Sequence, residues 1–181
     1  VKNQKKFKLE GRNVIAADMI GKMVRKILKV DQEYAPFQIV GLESSQAEGY
    51  TVNLPIMANG RKFIIGLKGK IDRIDYRQGV LRVIDYKTGK DEKDFVDLSS
   101  LIDRESTKRN KAAFQVFFYS YLVLNGYEGT YDRIEPGLFN SKNLFDMHFD
   151  WRIRQKEPRQ PGVPVTSFLQ YADDFEEVLS K

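Results

Sequence analysis

Asp72, Asp85 and Lys87 are the residues of this chain whose types and spacing could do chemistry. Asp85 and Lys87 stand two apart in Val83-Ile84-Asp85-Tyr86-Lys87-Thr88-Gly89, so on a β-strand both side chains leave one face. The lysine ammonium can then reach whatever the carboxylate binds. Asp72 belongs to Gly69-Lys70-Ile71-Asp72-Arg73-Ile74-Asp75, and a hairpin turning at Arg77-Gln78-Gly79 brings it alongside, in a register the sequence leaves open. Two carboxylates suit a hard cation such as Mg²⁺ or Mn²⁺, which takes oxygen ligands from one or two acids, waters and a substrate phosphate. The backbone carbonyl of Tyr86 is a third candidate ligand. The implied chemistry is metal-assisted phosphodiester hydrolysis without a covalent intermediate, with Lys87 orienting the attacking water or offsetting charge on the phosphate oxygens.

The same three residues also fit ordinary strand-end charges on a solvated hairpin. Two details weigh against that reading. Asp is unfavourable within strands, yet Asp85 follows the apolar pair Val83-Ile84, and Gly69 permits close approach of another backbone.

The elements that must position these residues can be read from periodicity. Residues 13–30 carry Val14, Ile15, Met19, Ile20, Met23, Val24, Ile27 and Leu28 at helical spacing, with Asn13 as N-cap. After Pro36, β-type segments over 37–44, 50–57, 62–76 and 80–87, with turn signals at Asn59-Gly60 and Gln78-Gly79, predict a small antiparallel sheet. Residues 89–110 are dense in charge and read as an exposed, mobile connection with a short helix near 96–102. Residues 111–125 are apolar almost all round and end at Gly126, which predicts a helix buried against the sheet. Gly137-Leu138-Phe139 suggests a further strand. Strict alternation from Phe145 to Arg154 predicts a half-buried one, and Ser167 with Gln170 form a capping box that opens a last helix through Leu179. The fold class expected is α/β, a central mixed sheet flanked by helices, in a single domain over 13–181 behind a lead-in at 1–12.

Composition bounds the rest. Of the 181 residues 41% are hydrophobic and 30% charged, the balance of a globular protein. No apolar run approaches the ~18 residues that span a bilayer and no signal peptide is visible, so a soluble, cytoplasmic protein is expected. With no cysteine there is no disulfide, thiolate-held zinc or iron–sulfur cluster. The net charge of +5 suits a polyanionic partner without demanding one. Val1 and the Lys-rich start read as a fragment of a longer chain.

Taken in order, Gly69-x-Ile71-Asp72-Arg73-Ile74-Asp75, Ile84-Asp85-Tyr86-Lys87-Thr88-Gly89 and Gln115-x-x-x-Tyr119 resemble the PD-(D/E)XK nuclease superfamily, in particular the RecB-like and AddB-like nuclease domains of helicase–nuclease repair complexes. The resemblance covers roughly 37–139. It implies a restriction-endonuclease-like core, Asp72, Asp85 and the Tyr86 carbonyl as ligands of Mg²⁺ or Mn²⁺, and Lys87 as the catalytic lysine. Gln115 and Tyr119 match the helix that presents groups to the active site and to DNA. Their i, i+4 spacing puts both on one face, and a glutamine in so apolar a helix costs free energy unless it bonds something specific. It further implies DNA as substrate, a helicase partner and a role in recombinational repair.

Such domains usually add a His or Glu ligand on an upstream helix, and none is evident here. Glu43 is a candidate substitute, or else a solvated strand-end acid. His148 falls on the polar face of its alternating segment and reads as exposed. Lys108, Arg109 and Lys111 precede the Gln115 helix, to contact phosphates or solvent. Arg73 is expected to turn away and pair with Asp75 or water. Two rival readings are a nuclease-fold module that binds DNA or a partner subunit without cutting, and a site hydrolysing smaller phosphate esters.

Overall fold

The computed structural model describes residues 10–43, 50–103, 105 and 109–180. Lys108 and most of the lead-in lie outside the described residues. The chain divides into two compact units, Val1–Ala35 and Pro36–Lys181. The first holds helix α1, Arg12–Tyr34. Gly11 precedes it at φ 57° and no side chain caps it, so Asn13 sits inside the first turn instead of capping it. The helix runs past Val30 and stops where Pro36 restricts Ala35 to extended backbone.

In the second unit the strands are β1 (Gln38–Leu42), β2 (Tyr50–Ala58), β3 (Arg61–Gly69), β4 (Arg73–Arg77), β5 (Val80–Lys87), β6 (Asp94–Phe95), β7 (Arg133–Asn140), β8 (Arg154–Gln155) and β9 (Val163–Pro164). The helices are α2 (Leu98–Ile102), α3 (Lys111–Gly126) and α4 (Ala172–Leu179), the last preceded by a 3₁₀ turn at Phe168–Tyr171. The central sheet is mixed, in the order β1-β4-β5-β7: the first three strands are antiparallel, and β7 lies parallel to β5. β2 and β3 form a separate two-stranded ribbon, and β6, β8 and β9 a third small sheet. The expected strand over 62–76 is therefore two strands, broken at Lys70–Asp72, where the chain leaves the ribbon and joins the central sheet. The alternation of Leu67, Gly69 and Ile71 with Lys68, Lys70 and Asp72 runs unbroken through it and conceals it from the sequence.

Parallel pairing with β7 explains the character of β5. A strand with neighbours on both edges and helices over a face is buried, and Val80 to Asp85 are all inaccessible. The turn between β4 and β5 uses Gln78 at φ 47° and Gly79 at φ 81°, the geometry that matches strand twist. Only glycine fits the second position, since a Cβ on Gly79 would fall 1.9 Å from Asp132 Oδ2.

α3 is capped by Asn110, whose side chain accepts from the Ala113 N–H at 3.0 Å, and it packs its buried face on the sheet. Phe117 sits at the centre of an aromatic cluster, with ring centroids of Phe95 and Phe168 at 5.2 and 5.4 Å. The charged stretch after Gly89 is more ordered than its composition suggests. Its described residues contain β6 and α2, and the Asn110 amide ties it by donating to the Glu92 and Asp94 carbonyls.

The alternating segment 145–154 is not a strand. Residues 141–148 form turns, Phe145 and Met147 are exposed, and pairing is limited to β8 and a bridge between Arg152 and Gly137. Only its end reaches the sheet, where the Leu138 N–H donates to the Trp151 carbonyl at 2.7 Å and the Ile153 N–H to the Pro136 carbonyl at 3.3 Å; the residues before it are spent in turns. Ser167 caps, accepting from the Leu169 N–H, but without the expected capping box to Gln170, and it opens the 3₁₀ turn that α4 follows.

Candidate active site

The acids converge as the hairpin requires. Arg73 pairs with Ile84 in the β4–β5 register, so Asp72, one residue before β4, stands beside the end of β5 that carries Asp85. Asp72 is outside the ladder, in the bend after the ribbon. Its Oδ2 accepts the Tyr86 backbone N–H at 2.9 Å, so a side chain completes the hydrogen bonding where β4 has ended.

Asp85 is 2% exposed. Burial raises its pKa above the ordinary carboxylate value, and the negative charges of Asp72 and Asp91 push the same way, while the Lys87 ammonium opposes them. Lys87 Nζ lies 2.8 Å from Asp85 Oδ2, yet that buried oxygen accepts no hydrogen bond of acceptable angle. Lys87 donates instead to Gln115 Oε1 at 2.7 Å, and Gln115 Nε2 in turn donates to Tyr119 Oη at 2.7 Å. The glutamine that an apolar helix should not hold idly thus links the strand lysine to the helix tyrosine.

The glycine expected to allow close approach does so. A Cβ on Gly69 would stand 2.9 Å from Tyr119 Cε1 and 2.7 Å from Leu122 Cδ1, so the end of β3 lies directly against α3 at Tyr119. Asp91, which sequence reasoning passed over as part of a charged run, is held near the site by Asn140, a wholly buried β7 residue whose amide donates to the Asp91 carbonyl.

Arg73 takes the expected partner but not the expected exposure. It pairs with Asp75 but is only 4% exposed, in a buried cluster that sequence reasoning missed. Asp75 accepts from Arg73 Nε at 2.8 Å, from Arg82 Nε at 2.6 Å and from Arg82 Nη2 at 2.8 Å. The Phe37 ring lies 5.0 Å from the Arg73 guanidinium and 5.4 Å from that of Arg82. Arg73 also donates to Tyr86 Oη at 3.1 Å, which ties the cluster to the residue after Asp85. In the sequence Arg82 reads as an ordinary strand charge, and nothing there signals its burial.

Glu43 does not join the aspartates. Its exposed carboxylate pairs with Lys70 at 3.0 Å, while its backbone N–H donates to the Asp72 carbonyl. His148 is exposed, in a turn. Among the described residues no three acids or histidines cluster closely enough to hold a metal by themselves. What the site offers is two carboxylates, one of them with an oxygen that is buried and lacks a hydrogen bond, and that donor set fits a hard cation completed by backbone oxygen, water and phosphate.

A family model for the PD-(D/E)XK nuclease superfamily matches residues 4–180, and thus nearly the whole chain. The chain belongs to the PD-(D/E)XK nuclease superfamily. The mixed central sheet flanked by helices is consistent with the restriction-endonuclease-like core of that superfamily, whose members are generally nucleases and usually use divalent metals. No curated protein and no solved structure gives a significant match. Among the described residues no helix is long and apolar enough to cross a membrane.

Proposed function

We propose that the chain is a metal-dependent deoxyribonuclease domain of the RecB-like and AddB-like branch, acting in recombinational repair beside a helicase subunit. The observation that carries the nuclease reading is the position of Lys87, fixed between Asp85 Oδ2 and Gln115 Oε1 beside Asp72. Asp72, Asp85 and the Tyr86 carbonyl would hold Mg²⁺ or Mn²⁺. When bound, that cation supplies a Lewis acid for the phosphoryl oxygen and acidifies a coordinated water.

The chain's own groups do the rest. Asp85 would bind the cation through its ionised carboxylate, whose buried Oδ2 accepts no hydrogen bond from the protein. Lys87, anchored by Gln115, carries positive charge to the oxygens on which charge develops, and Tyr119 holds Gln115 in the rotamer that makes this contact. The branch assignment and the repair role rest on the order Asp72, Asp85–Lys87, Gln115–Tyr119.

Incubating the chain with linear double-stranded and single-stranded DNA plus Mn²⁺ tests the proposal. Cleavage that disappears in Asp85→Ala is expected, and cleavage unaffected by that substitution would sink the assignment. The lack of a third acid or histidine ligand among the described residues favours a second reading, a module that binds DNA without cutting. Salt-dependent DNA binding indifferent to Mn²⁺ and to Lys87→Ala, with no cleavage of any DNA, would select it.

A further inference from the structure

The ribbon of β2 and β3 contains no acid. Its cations Arg61, Lys62 and Lys68 are exposed and make no ion pair among the described residues. Tyr50 and Leu54 join the core, but toward the Asn59-Gly60 turn Met57 is 66% exposed, Phe63 48%, Ile64 69% and Ile65 43%. Ile65 pairs with Leu54 and Ile64 with Pro55, so successive β3 side chains leave opposite faces and the end of the ribbon is apolar on both.

The two edges of the ribbon differ. Pro55 has no N–H to give and stands opposite Ile64, which makes this a non-hydrogen-bonded pair of the ladder. At such a pair the backbone groups of both residues point away from the ribbon. The β2 edge is therefore blunted by the donor that Pro55 lacks. On the β3 edge, alternation puts the outward N–H and C=O groups at Lys62, Ile64, Gly66 and Lys68, and among the described residues no strand pairs with them. An exposed apolar edge of this kind is a template for a further strand.

The charges decide which strand. Pairing β3 antiparallel with its own copy over its full length would set Lys62 directly against Lys68, and like charges opposite one another are destabilising. Nucleic acid has no row of donors and acceptors to match a strand edge, and it would leave Ile64 and Met57 uncovered. We infer that the β3 edge takes an extended segment of a partner protein as an added strand, with acids of that segment beside Lys62 and Lys68 and an apolar residue beside Ile64. This goes beyond the nuclease reading and holds whether or not the chain cuts DNA.

The probe is a capped, fluorescently labelled peptide, Glu-Thr-Val-Thr-Val-Thr-Glu, whose acids stand six apart as Lys62 and Lys68 do. Titration with the full chain, followed by anisotropy, should show binding, and hydrogen exchange should slow over residues 61–69. Lys62→Glu and Lys68→Glu, both at exposed positions, should each weaken binding about threefold. The double variant should instead prefer the peptide with Lys in place of Glu. N-methylating the Val residues should abolish binding while N-methylating the Thr residues does not, or the reverse for a parallel strand, because only alternate amides face β3. Equal loss from both methylated peptides, no binding at about 1 mM peptide, or equal affinity for the acidic and basic peptides would overturn the proposal. So would exchange over 61–69 that slows on raising the protein concentration alone, which would mark a second copy, or on adding an oligonucleotide, which would mark a nucleic-acid surface.

Discussion

Replacing Gln115 by alanine should slow chemistry without loosening the fold. Gln115 Oε1 receives the Lys87 ammonium at 2.7 Å, and the other neighbour of that ammonium is Asp85 Oδ2 at 2.8 Å, in poor hydrogen-bonding geometry. Without the glutamine, Lys87 is free to swing away from the position in which it faces the phosphate. A hydrogen bond to a charged group contributes about 1.5–3 kcal/mol, and if all of it is expressed in the transition state kcat falls about 10–150-fold. Tyr119→Phe removes only the neutral bond behind Gln115, about 1 kcal/mol, and should cost about fivefold. Single-turnover cleavage of a labelled oligonucleotide with saturating Mn²⁺ measures both, with thermal unfolding as control. Wild-type kcat in Gln115→Ala, or a larger loss in Tyr119→Phe than in Gln115→Ala, would refute the idea that the helix positions the lysine.

Three further outcomes follow from the same geometry. Asp75→Asn leaves two buried guanidiniums without their shared carboxylate and should lower unfolding stability by about 3–5 kcal/mol in urea titrations; a loss under about 1 kcal/mol would contradict the buried-cluster reading. Because the folded pKa of Asp85 is raised above 3.8, the proton is retained higher than in the unfolded chain, so this group's contribution to metal-free stability is present below 3.8 and lost as pH rises through the folded value. Mn²⁺ affinity followed calorimetrically should accordingly decline with acidification starting above pH 3.8, and Asp85→Asn should weaken binding and make the decline shallower, leaving what Asp72 contributes. Tyr121, whose hydroxyl donates to Glu176, is pushed up from 10.0 to about 12 by burial and by that acid, so stability should fall between those pH values. Tyr121→Phe should cost about 1 kcal/mol at neutral pH and make the alkaline decline shallower, as read by denaturant unfolding across the range.

The site was legible where local spacing carries it. The i, i+2 pair Asp85–Lys87, the tight turn at Gln78-Gly79 and the i, i+4 pair Gln115–Tyr119 each bring their residues together by backbone geometry alone, so a linear reading finds them. The bend at Lys70–Asp72 and the parallel pairing of β5 with β7 depend on segments far apart in the chain, and local pattern holds no trace of them. The alternation over 145–154 misled for the opposite reason: a period of two marks a strand only where the chain runs along an edge, and here residues 141–148 turn back on themselves so that only Trp151 to Ile153 meet β7. Arg82 is the sharpest case, a charge wholly buried because Asp75 and Arg73 are buried with it, a condition invisible one residue at a time.

The acceptor that Asp72 offers to the Tyr86 N–H ties two properties of this protein to one side chain. The carboxylate is a peg at the frayed corner of the sheet as well as a proposed ligand, so whatever occupies the metal site also bears on how firmly the last turn of the hairpin is pinned. An alanine there erases both roles together, whereas an asparagine keeps an acceptor for the amide and removes only the charge. The difference between those two variants, and not either alone, measures what position 72 does for the metal.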